Sequence, residues 1–263
     1  MKMSVAIHGV GMVGGALSRY FQDEGIDVRH VDPFKGMKDD HDVRIQFICV
    51  PTPFEKKGKG FDLSFIQAAF ENIAKVRGQQ QTVVVIKSTA LPGTAAYFQK
   101  KYPAYVVLFN PEFLTERSAD QDMRHPERQM IGYVTEEGAK EAPAILDLLP
   151  NAPYQKILKA TEAELVKYFG NTFLALKVVF GNMMYDFCEK HGADYEAVKE
   201  AAIHDSRVGS SHLNVNQDGY RGYRGTCFPK DVRAFIQHGE ELGVDMAVLK
   251  EAERRNCELT GDL

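Results

Sequence analysis

The chain has 263 residues, is 44% hydrophobic and 26% charged, and carries a formal net charge of −4. This composition is typical of a globular protein, and its weak acidity argues against a nucleic-acid binder or a protein attracted to anionic membranes. No apolar run approaches the ~18 residues of a membrane span, so we expect a cytoplasmic protein. Four scattered cysteines and eight histidines without metal-binding spacing predict neither a disulfide framework nor a metal site.

Up to about residue 150 the sequence alternates short β-rich runs with helical patterns. Runs such as VVVI and FICV are apolar on both faces, which is typical of a parallel sheet covered by helices. The alternation therefore predicts a doubly wound α/β domain, with a solvated loop at Glu55–Gly60. The candidate strands are Val5–Ile7, Val28–Val31, Ile45–Val50, Val83–Ile86, Val106–Phe109 and Met130–Tyr133, and the candidate helices are Met12–Asp23, Leu63–Val76, Thr94–Lys101 and Glu136–Leu148.

After about residue 158 the pattern is helical only. Thr161 and Glu164 have the spacing of a capping box at the start of a long helix, which is predicted to end near His191. At about 1.5 Å per residue this helix is roughly 45 Å long, and helices of that length commonly join domains or form subunit interfaces. We predict an α/β domain over residues 1–158 and a helical domain over residues 159–263. The apolar stripe of the long helix consists of Leu165, Phe169, Thr172, Leu176, Val179 and Met183, and the later helices are predicted at Tyr195–His204, Pro229–Leu242 and Met246–Asn256.

Three glycines follow the first predicted strand. Gly9, Gly11 and Gly14 form G-x-G-x-x-G, which permits a tight turn, close approach of a pyrophosphate to the backbone, and close helix–strand packing. The helix start then offers N–H groups and a partial positive charge to phosphates. Asp32 ends the second strand, where a carboxylate accepts from a ribose 2′-OH and repels a 2′-phosphate. The sequence therefore predicts a Rossmann-like domain that binds NAD rather than NADP, the alternative being a glycine turn that binds nothing.

Lys167 and Asn171 share one face of the long helix because they are four residues apart. From spacing alone a solvated polar stripe is the better interpretation. The surrounding residues are mostly apolar, however, which makes a solvent-exposed polar stripe less favourable at this place.

Cys227 lies in the segment GTCFPKD. Pro229 suits the first turn of a helix, where its missing N–H costs nothing, so Cys227 is predicted at a helix N-terminus with Lys230 close in sequence. Both features favour the thiolate form. The other three cysteines are interpreted as buried and inert.

Seven motifs follow one another along nearly the whole chain: VAIHGVGMVG, FICVPTP, KSTALPGT, NPEFLTERSADQDMRHPERQMIG, AELVKYFGNTFLALKVVFGN, SRVG and GTCFPKDVRAF. With them the sequence resembles the UDP-glucose/GDP-mannose dehydrogenase family. The resemblance implies oxidation of the C6 primary alcohol of a nucleotide sugar, UDP-glucose, to a carboxylate with NAD used twice. It also implies a homodimer formed through the long helix.

The resemblance assigns chemical roles to matching residues. Cys227 is implied to be the nucleophile, which forms a thiohemiacetal and then a thioester with the substrate. Lys167 is implied to manage the charge and proton of the developing alkoxide, and Asn171 to hold a sugar oxygen. The residues implied to orient or assist the hydrolytic water are Asp231, Thr89 and Glu112.

Binding positions are implied in the same way. The cofactor-contacting residues are Gly9, Gly11, Met12, Val13, Gly14, Asp32, Lys35, Val50, Thr52, Ser88, Thr89, Glu116 and Lys230. The substrate-contacting residues are Glu112, Phe113, Leu114, Thr115, Lys167, Asn171, Arg207, Tyr223 and Gly225.

Two departures from the family pattern stand out. Arg224, in Gly222-Tyr223-Arg224-Gly225, replaces a small residue, so we expect it to alter substrate choice or to contact the diphosphate. The sequence ends at Leu263, and the family's third domain, a second nucleotide-binding fold, is expected to be absent.

Two other functions are compatible with the sequence. A two-electron hydroxyacid dehydrogenase would share the layout and the Lys-x-x-x-Asn pair without needing Cys227. A non-catalytic, dimeric sugar-nucleotide-binding subunit would not need to retain Cys227, Lys167, Asn171, Glu112 and Asp231 together.

Overall fold

The computed structural model describes residues 3–39, 42–55, 60–76, 81–216 and 219–262. The chain divides into two compact units, an α/β unit of Met1–Pro53 with Phe61–Lys167 and a helical unit of Phe54–Gly60 with Tyr168–Leu263. The boundary between the units falls inside the long helix, and the domain boundary at residue 158 stays a prediction.

The α/β unit is built on one sheet whose strand order is β10-β9-β8-β7-β4-β1-β2-β3. All neighbouring pairs are parallel except β2–β3 and β8–β9. A separate two-stranded sheet contains β5 and β6, and residues 56–59 of the predicted Glu55–Gly60 loop lie outside the described residues. The strands are β1 (Ser4–His8), β2 (Asp27–Asp32), β3 (Met37–Lys38), β4 (Ile45–Ile48), β5 (Phe54–Glu55), β6 (Gly60–Phe61), β7 (Val83–Ile86), β8 (Val106–Phe109), β9 (Arg128–Tyr133) and β10 (Tyr154–Lys159).

The predicted helices are all present in the predicted order, and one further short helix, Ala119–Arg124, was not predicted. The α/β class with one long helix is confirmed. None of the helices in the described part of the chain combines the length and apolar character that crossing a bilayer requires. The helices are α1 (Met12–Asp23), α2 (Ser64–Lys75), α3 (Thr94–Lys101), α4 (Ala119–Arg124), α5 (Glu136–Leu148), α6 (Ala160–His191), α7 (Tyr195–Ile203), α8 (Phe228–Glu241) and α9 (Ala247–Thr260).

The hydrophobic core of the α/β unit lies on both faces of the sheet. Alternate residues of β7 belong to different clusters: Val83 and Val85 pack with α1 and α5, and Val84 and Ile86 pack with α2 and α3. Both faces are therefore covered by helices, which explains why the central strands read as continuous apolar runs.

The predicted capping box at the start of α6 is wrong. The helix begins at Ala160, and the Glu164 carboxylate accepts hydrogen bonds from the backbone N–H groups of Gly93 (2.6 Å) and Ala95 (2.8 Å) at the start of α3. Burial raises the pKa of Glu164 to about 7, although the two N–H donors oppose this shift. Glu164 thus caps another helix of the α/β unit rather than its own.

The helical unit has a small core of its own. Ala175, Tyr223 and Val232 are buried together, and the rings of Tyr168 and Phe235 stack with centroids 5.0 Å apart. These contacts join α6, α8 and the loop that precedes Cys227.

Candidate active site and cofactor site

The glycine turn between β1 and α1 requires glycine at two of its three positions. A Cβ on Gly14 would lie 2.0 Å from the carbonyl oxygen of Gly9, and one on Gly9, whose φ is +87°, would lie 2.7 Å from that of Cys49. Gly11, the N-cap of α1, has open space beside it, and no described side chain caps the helix. The turn therefore leaves room and helix N–H groups for a phosphate, which fits the pyrophosphate of a dinucleotide.

Asp32 lies beside this turn at the end of β2. Its Oδ2 accepts from the Val10 backbone N–H (2.9 Å) and its Oδ1 from that of Lys35 (3.3 Å). The Lys35 ammonium in turn donates to the Val10 carbonyl oxygen at 2.5 Å. The carboxylate is held at the edge of the glycine turn and keeps lone pairs for a ribose hydroxyl. Met12 and Val13 begin α1 directly after the turn.

We expect Asp32→Ala to weaken NAD binding by about 1–3 kcal/mol, the usual cost of losing a charged hydrogen-bond partner, and to reduce the preference for NAD over NADP. Calorimetric titration of both cofactors measures the change. Asp27→Ala, at the opposite end of the same strand, is the matched control and should leave both affinities unchanged. Equal affinity of the wild-type protein for NAD and NADP would refute this role of Asp32.

The loops after β4 and β7 are tied together by side-chain hydrogen bonds. The Ser88 hydroxyl donates to the Val50 carbonyl oxygen (2.7 Å), and the Thr52 hydroxyl donates to that of Thr89 (2.7 Å). These bonds join two loops at the carboxyl ends of neighbouring parallel strands. The loops contain four residues predicted to bind the cofactor or to orient water: Val50, Thr52, Ser88 and Thr89.

Lys167 and Glu112 form a buried ion pair within the α/β unit. The Lys167 ammonium donates to the Glu112 carboxylate (2.7 Å) and carbonyl oxygen (2.9 Å), and both side chains are less than a tenth exposed. Burial acts to raise the pKa of Glu112, but Lys167, the Leu114 N–H and Lys87 together hold it below its usual value. The pair therefore places a fixed positive charge beside an ionised carboxylate.

The segment after Glu112 is held by its own side chains. The Glu112 carboxylate accepts from the Leu114 N–H (2.9 Å), and Asp122 accepts from the backbone N–H and hydroxyl of Thr115 (both 2.8 Å). The Arg128 guanidinium lies 4.0 Å from the centre of the Phe113 ring. These contacts fix the backbone of the three predicted substrate-contacting residues, whereas Glu116 is exposed.

Lys87 is a buried cation that the sequence analysis missed. It is 3% exposed at the end of β7, and its ammonium donates to the Asn110 side-chain oxygen at 2.5 Å. Burial and Lys167 lower its pKa to about 8, while Cys49 and Glu112 oppose the shift. The available signal was a lysine directly after the apolar run VVVI, where a strand continues into a loop.

In the helical unit Asn171 and Asp231 are hydrogen-bonded. The Asn171 amide donates to Asp231 Oδ2 (2.6 Å), and the Lys230 ammonium donates to Asp231 Oδ1 (2.6 Å). Asp231 is fully buried in the first turn of α8. The structure thus brings together three residues that the sequence analysis assigned to sugar, water and cofactor.

Cys227 is the N-cap of α8, as predicted, and Pro229 lies in the first turn. The thiol is partly exposed and lies 3.9 Å from the Thr226 hydroxyl oxygen. The Lys230 ammonium, close in sequence to Cys227, is paired with the Asp231 carboxylate at 2.6 Å.

The loop before Cys227 is anchored to α9. The Tyr223 side chain is 4% exposed and its hydroxyl donates to Glu253 (2.5 Å), so the structure gives this side chain an anchoring role, and a substrate contact stays a prediction. The Arg224 guanidinium, which was expected to contact a diphosphate, donates one hydrogen bond to the Thr260 carbonyl oxygen. Gly225 has φ +83° and open space around it, and Arg207 is exposed and paired with Asp205 (2.6 Å).

Among the described residues, no group of three or more potential ligands could hold a metal ion.

Comparison with known proteins identifies the family. Residues 35–148 match the NAD binding domain of the UDP-glucose/GDP-mannose dehydrogenase family, and residues 161–258 match its central domain. The structure is similar to that of a UDP-glucose dehydrogenase from Pyrobaculum islandicum, with a TM-score of 0.84, 30% identity, and coverage of 97% of this chain and 68% of that one. The chain belongs to the UDP-glucose/GDP-mannose dehydrogenase family. The match to its NAD binding domain also confirms NAD as the predicted cofactor.

Other relatives show how much of the family protein is present. The UDP-glucose 6-dehydrogenase of Pseudomonas aeruginosa is 37% identical over 228 residues, and the match covers 82% of this chain and 49% of that protein. The chain therefore spans about half the length of the curated relatives it matches. A 3-hydroxyisobutyrate dehydrogenase from Mycobacterium tuberculosis is similar over 95% of its own length, with a TM-score of 0.75, but at 15% identity this likeness shows the fold alone.

Proposed function

We propose that this chain performs the oxidation steps of an NAD-dependent nucleotide-sugar 6-dehydrogenase. The substrate is a nucleotide sugar, UDP-glucose, whose C6 primary alcohol is converted to a carboxylate. This conversion removes four electrons as two hydrides. Family membership supports the proposal, and so do the two groups of hydrogen-bonded polar residues, Lys167 with Glu112 and Asn171 with Asp231.

NAD accepts each hydride when it is bound. The glycine turn and Asp32 would hold its pyrophosphate and ribose, and Val50, Thr52, Ser88 and Thr89, at the carboxyl ends of β4 and β7, would contact it as well. Open space at Gly11 and the absence of a capping side chain on the described part of α1 support this fit.

Cys227 carries the covalent part of the reaction. After the first hydride and the hydroxyl proton leave, C6 is an aldehyde. The Cys227 thiolate then forms a C–S bond to C6, and the aldehyde oxygen takes up a proton, which gives a thiohemiacetal. Loss of the second hydride and of the hydroxyl proton leaves a thioester. Water then attacks the carbonyl carbon and breaks the C–S bond, which releases the carboxylate and regenerates the thiolate.

The buried polar residues manage charge and water in these steps. Lys167 stabilises the negative charge on the C6 oxygen, because a fixed ammonium in a buried site needs little reorganisation. Asn171 donates to a sugar oxygen in exchange for its bond to Asp231. Asp231, Thr89 and Glu112 orient the water that cleaves the thioester.

The observation that carries the proposal is the position of Cys227. A partly exposed thiol at a helix N-terminus, with the buried Asp231 one turn later, suits a nucleophile and has no task in a two-electron oxidation.

The test is incubation of the protein with NAD and a panel of nucleotide sugars, counting NADH formed per sugar consumed. We expect two NADH and one sugar acid with UDP-glucose. One NADH per sugar would indicate a hydroxyacid-type dehydrogenase, and none with any sugar would indicate a binding subunit.

We also propose that the protein is a homodimer formed through α6. Three of the six residues of its predicted apolar stripe are exposed, Leu165 (43%), Phe169 (78%) and Met183 (51%), and so is Phe187 (62%) on the same side. Leu176 and Val179 are half-buried and Thr172 is buried. Large exposed apolar faces mark interaction sites. We expect the wild-type protein to sediment as a dimer and Phe180→Glu, which introduces a charge at a 55% exposed position, to sediment as a monomer. The same sedimentation coefficient for both proteins would exclude this interface.

A further inference from the structure

Phe34 is an aromatic ring that the α/β unit exposes almost completely. Its exposed fraction is 86%, the highest of the large hydrophobic residues that the structure describes. Single exposed hydrophobic residues are common and by themselves indicate nothing. Phe34 differs in its position, because it follows Asp32 by two residues.

The backbone that carries Phe34 is tightly constrained. Pro33–Lys35 form one 3₁₀ turn, in which proline restricts φ and the Asp32 carboxylate accepts from the Lys35 N–H. The Lys35 ammonium ties the turn to the Val10 carbonyl oxygen, and Gly36, with φ +71°, ends it. The turn that holds the ring outward is thus fastened to the glycine turn of the cofactor site.

The topology puts this ring on one particular side of that site. The strand order changes direction at β1, with β2 on one side and β4 on the other. In doubly wound sheets a dinucleotide lies across this point, beyond the carboxyl ends of the strands, and the residue ending β2 contacts the ribose of the adenosine half. Phe34 lies just beyond that residue, and Phe65, near the start of α2, contacts it with ring centroids 6.0 Å apart.

We propose that Phe34 provides the stacking surface for the adenine ring of the bound dinucleotide. An exposed aromatic face has an unfavourable hydration free energy that a planar base removes by covering it, and stacking adds dispersion attraction. Phe65 supports the ring from the protein side. The inference rests on the NAD site of the proposed function and is independent of the chemistry at Cys227.

A tryptophan in place of Phe34 makes this contact directly visible, because the chain contains no tryptophan. We expect the fluorescence of Phe34→Trp to be quenched on titration with NAD and with ADP-ribose, and to be unaffected by nicotinamide mononucleotide, which lacks adenine. Tyr154→Trp is the matched control. It lies on β10, at the opposite edge of the sheet, is 54% exposed, and should show no quenching with any of the three ligands.

Calorimetry of the Phe34→Ala and Phe34→Tyr variants measures how much the ring contributes to the affinity for ADP-ribose. Phe34→Ala should bind ADP-ribose about fivefold or more weakly than the wild type, Phe34→Tyr should bind it normally, and the melting temperature should be unchanged because the ring is exposed. Wild-type affinity of Phe34→Ala, or unquenched fluorescence of Phe34→Trp when NAD is bound, would overturn the stacking role while leaving the NAD site intact. Failure of the wild-type protein to bind NAD at all would instead refute the cofactor site of the proposed function, and the stacking role with it.

Discussion

Cys227→Ala is expected to abolish formation of the sugar acid while leaving NAD binding intact. Without the thiol no C–S bond forms at the aldehyde stage, so the second oxidation has no covalent intermediate to act on. We expect acid formation to fall by about 10⁴-fold or more, as for removal of other covalent nucleophiles. NADH release and sugar acid are counted together, and NAD affinity is measured by calorimetry, because the glycine turn belongs to the α/β unit and Cys227 to the helical unit.

Cys257→Ala is the matched control for this experiment. Cys257 is also partly exposed, so the prediction that it is buried is wrong. It lies on α9, where burial and Glu253 raise the pKa of its thiol. We expect the Cys257→Ala variant to form two NADH and one acid per sugar like the wild type. If Cys227→Ala does so as well, the covalent mechanism is wrong for this protein.

Alkylation tests the reactivity of the Cys227 thiol independently of the catalysed reaction. Cys49 and Cys188 are buried, and burial raises the pKa of Cys49 to about 12, so neither reacts readily. We expect iodoacetamide to modify Cys227 first and NAD with substrate to protect it. Mass spectrometry of peptides after brief exposure identifies the modified residue.

The sequence predicted the central part of the sheet because those strands are apolar on both faces. β10 was missed since most of its residues are exposed, and YQKILK, with two lysines, lacks the continuous apolar run of a central strand. Edge strands with charged residues differ little from loops in sequence.

Parts of the candidate site could be predicted where the position of a residue depends only on its neighbours in sequence. The glycine turn and Cys227 at the start of α8 are examples, because the local backbone geometry determines where each of them lies. Partners far apart in sequence were not predictable: Glu164 fits a capping box on spacing alone, yet it caps α3, 69 residues from Ala95. Lys87 was missed for the same reason, since only the fold shows that it is buried and bonded to Asn110.

Lys167→Met is expected to lower both stability and activity, because it leaves Glu112 as a buried carboxylate without its main counter-ion. Removing one partner of a buried ion pair costs about 3–5 kcal/mol, so we expect the free energy of unfolding in urea to fall by about that much. Lys250→Met is the matched control: its ammonium pairs with Glu240 (2.6 Å), but both side chains are about half exposed, and the change should be much smaller.

The double variant Lys167→Met with Glu112→Gln separates the pair from other effects of the substitutions. Since it removes both charges, it should be less destabilised than the sum of the single variants.

Lys167 and its neighbours lower the pKa of Glu112 in the folded protein. The stabilisation by the pair is therefore fully present above the pKa of about 4.5 that Glu112 has in the unfolded chain, and it is lost as the pH falls through the lower pKa of the folded protein. The difference in unfolding free energy between wild type and Glu112→Gln should therefore shrink on acidification below about pH 4.5. A difference that stays constant with pH, or strictly additive single variants, would show that the two side chains are not coupled.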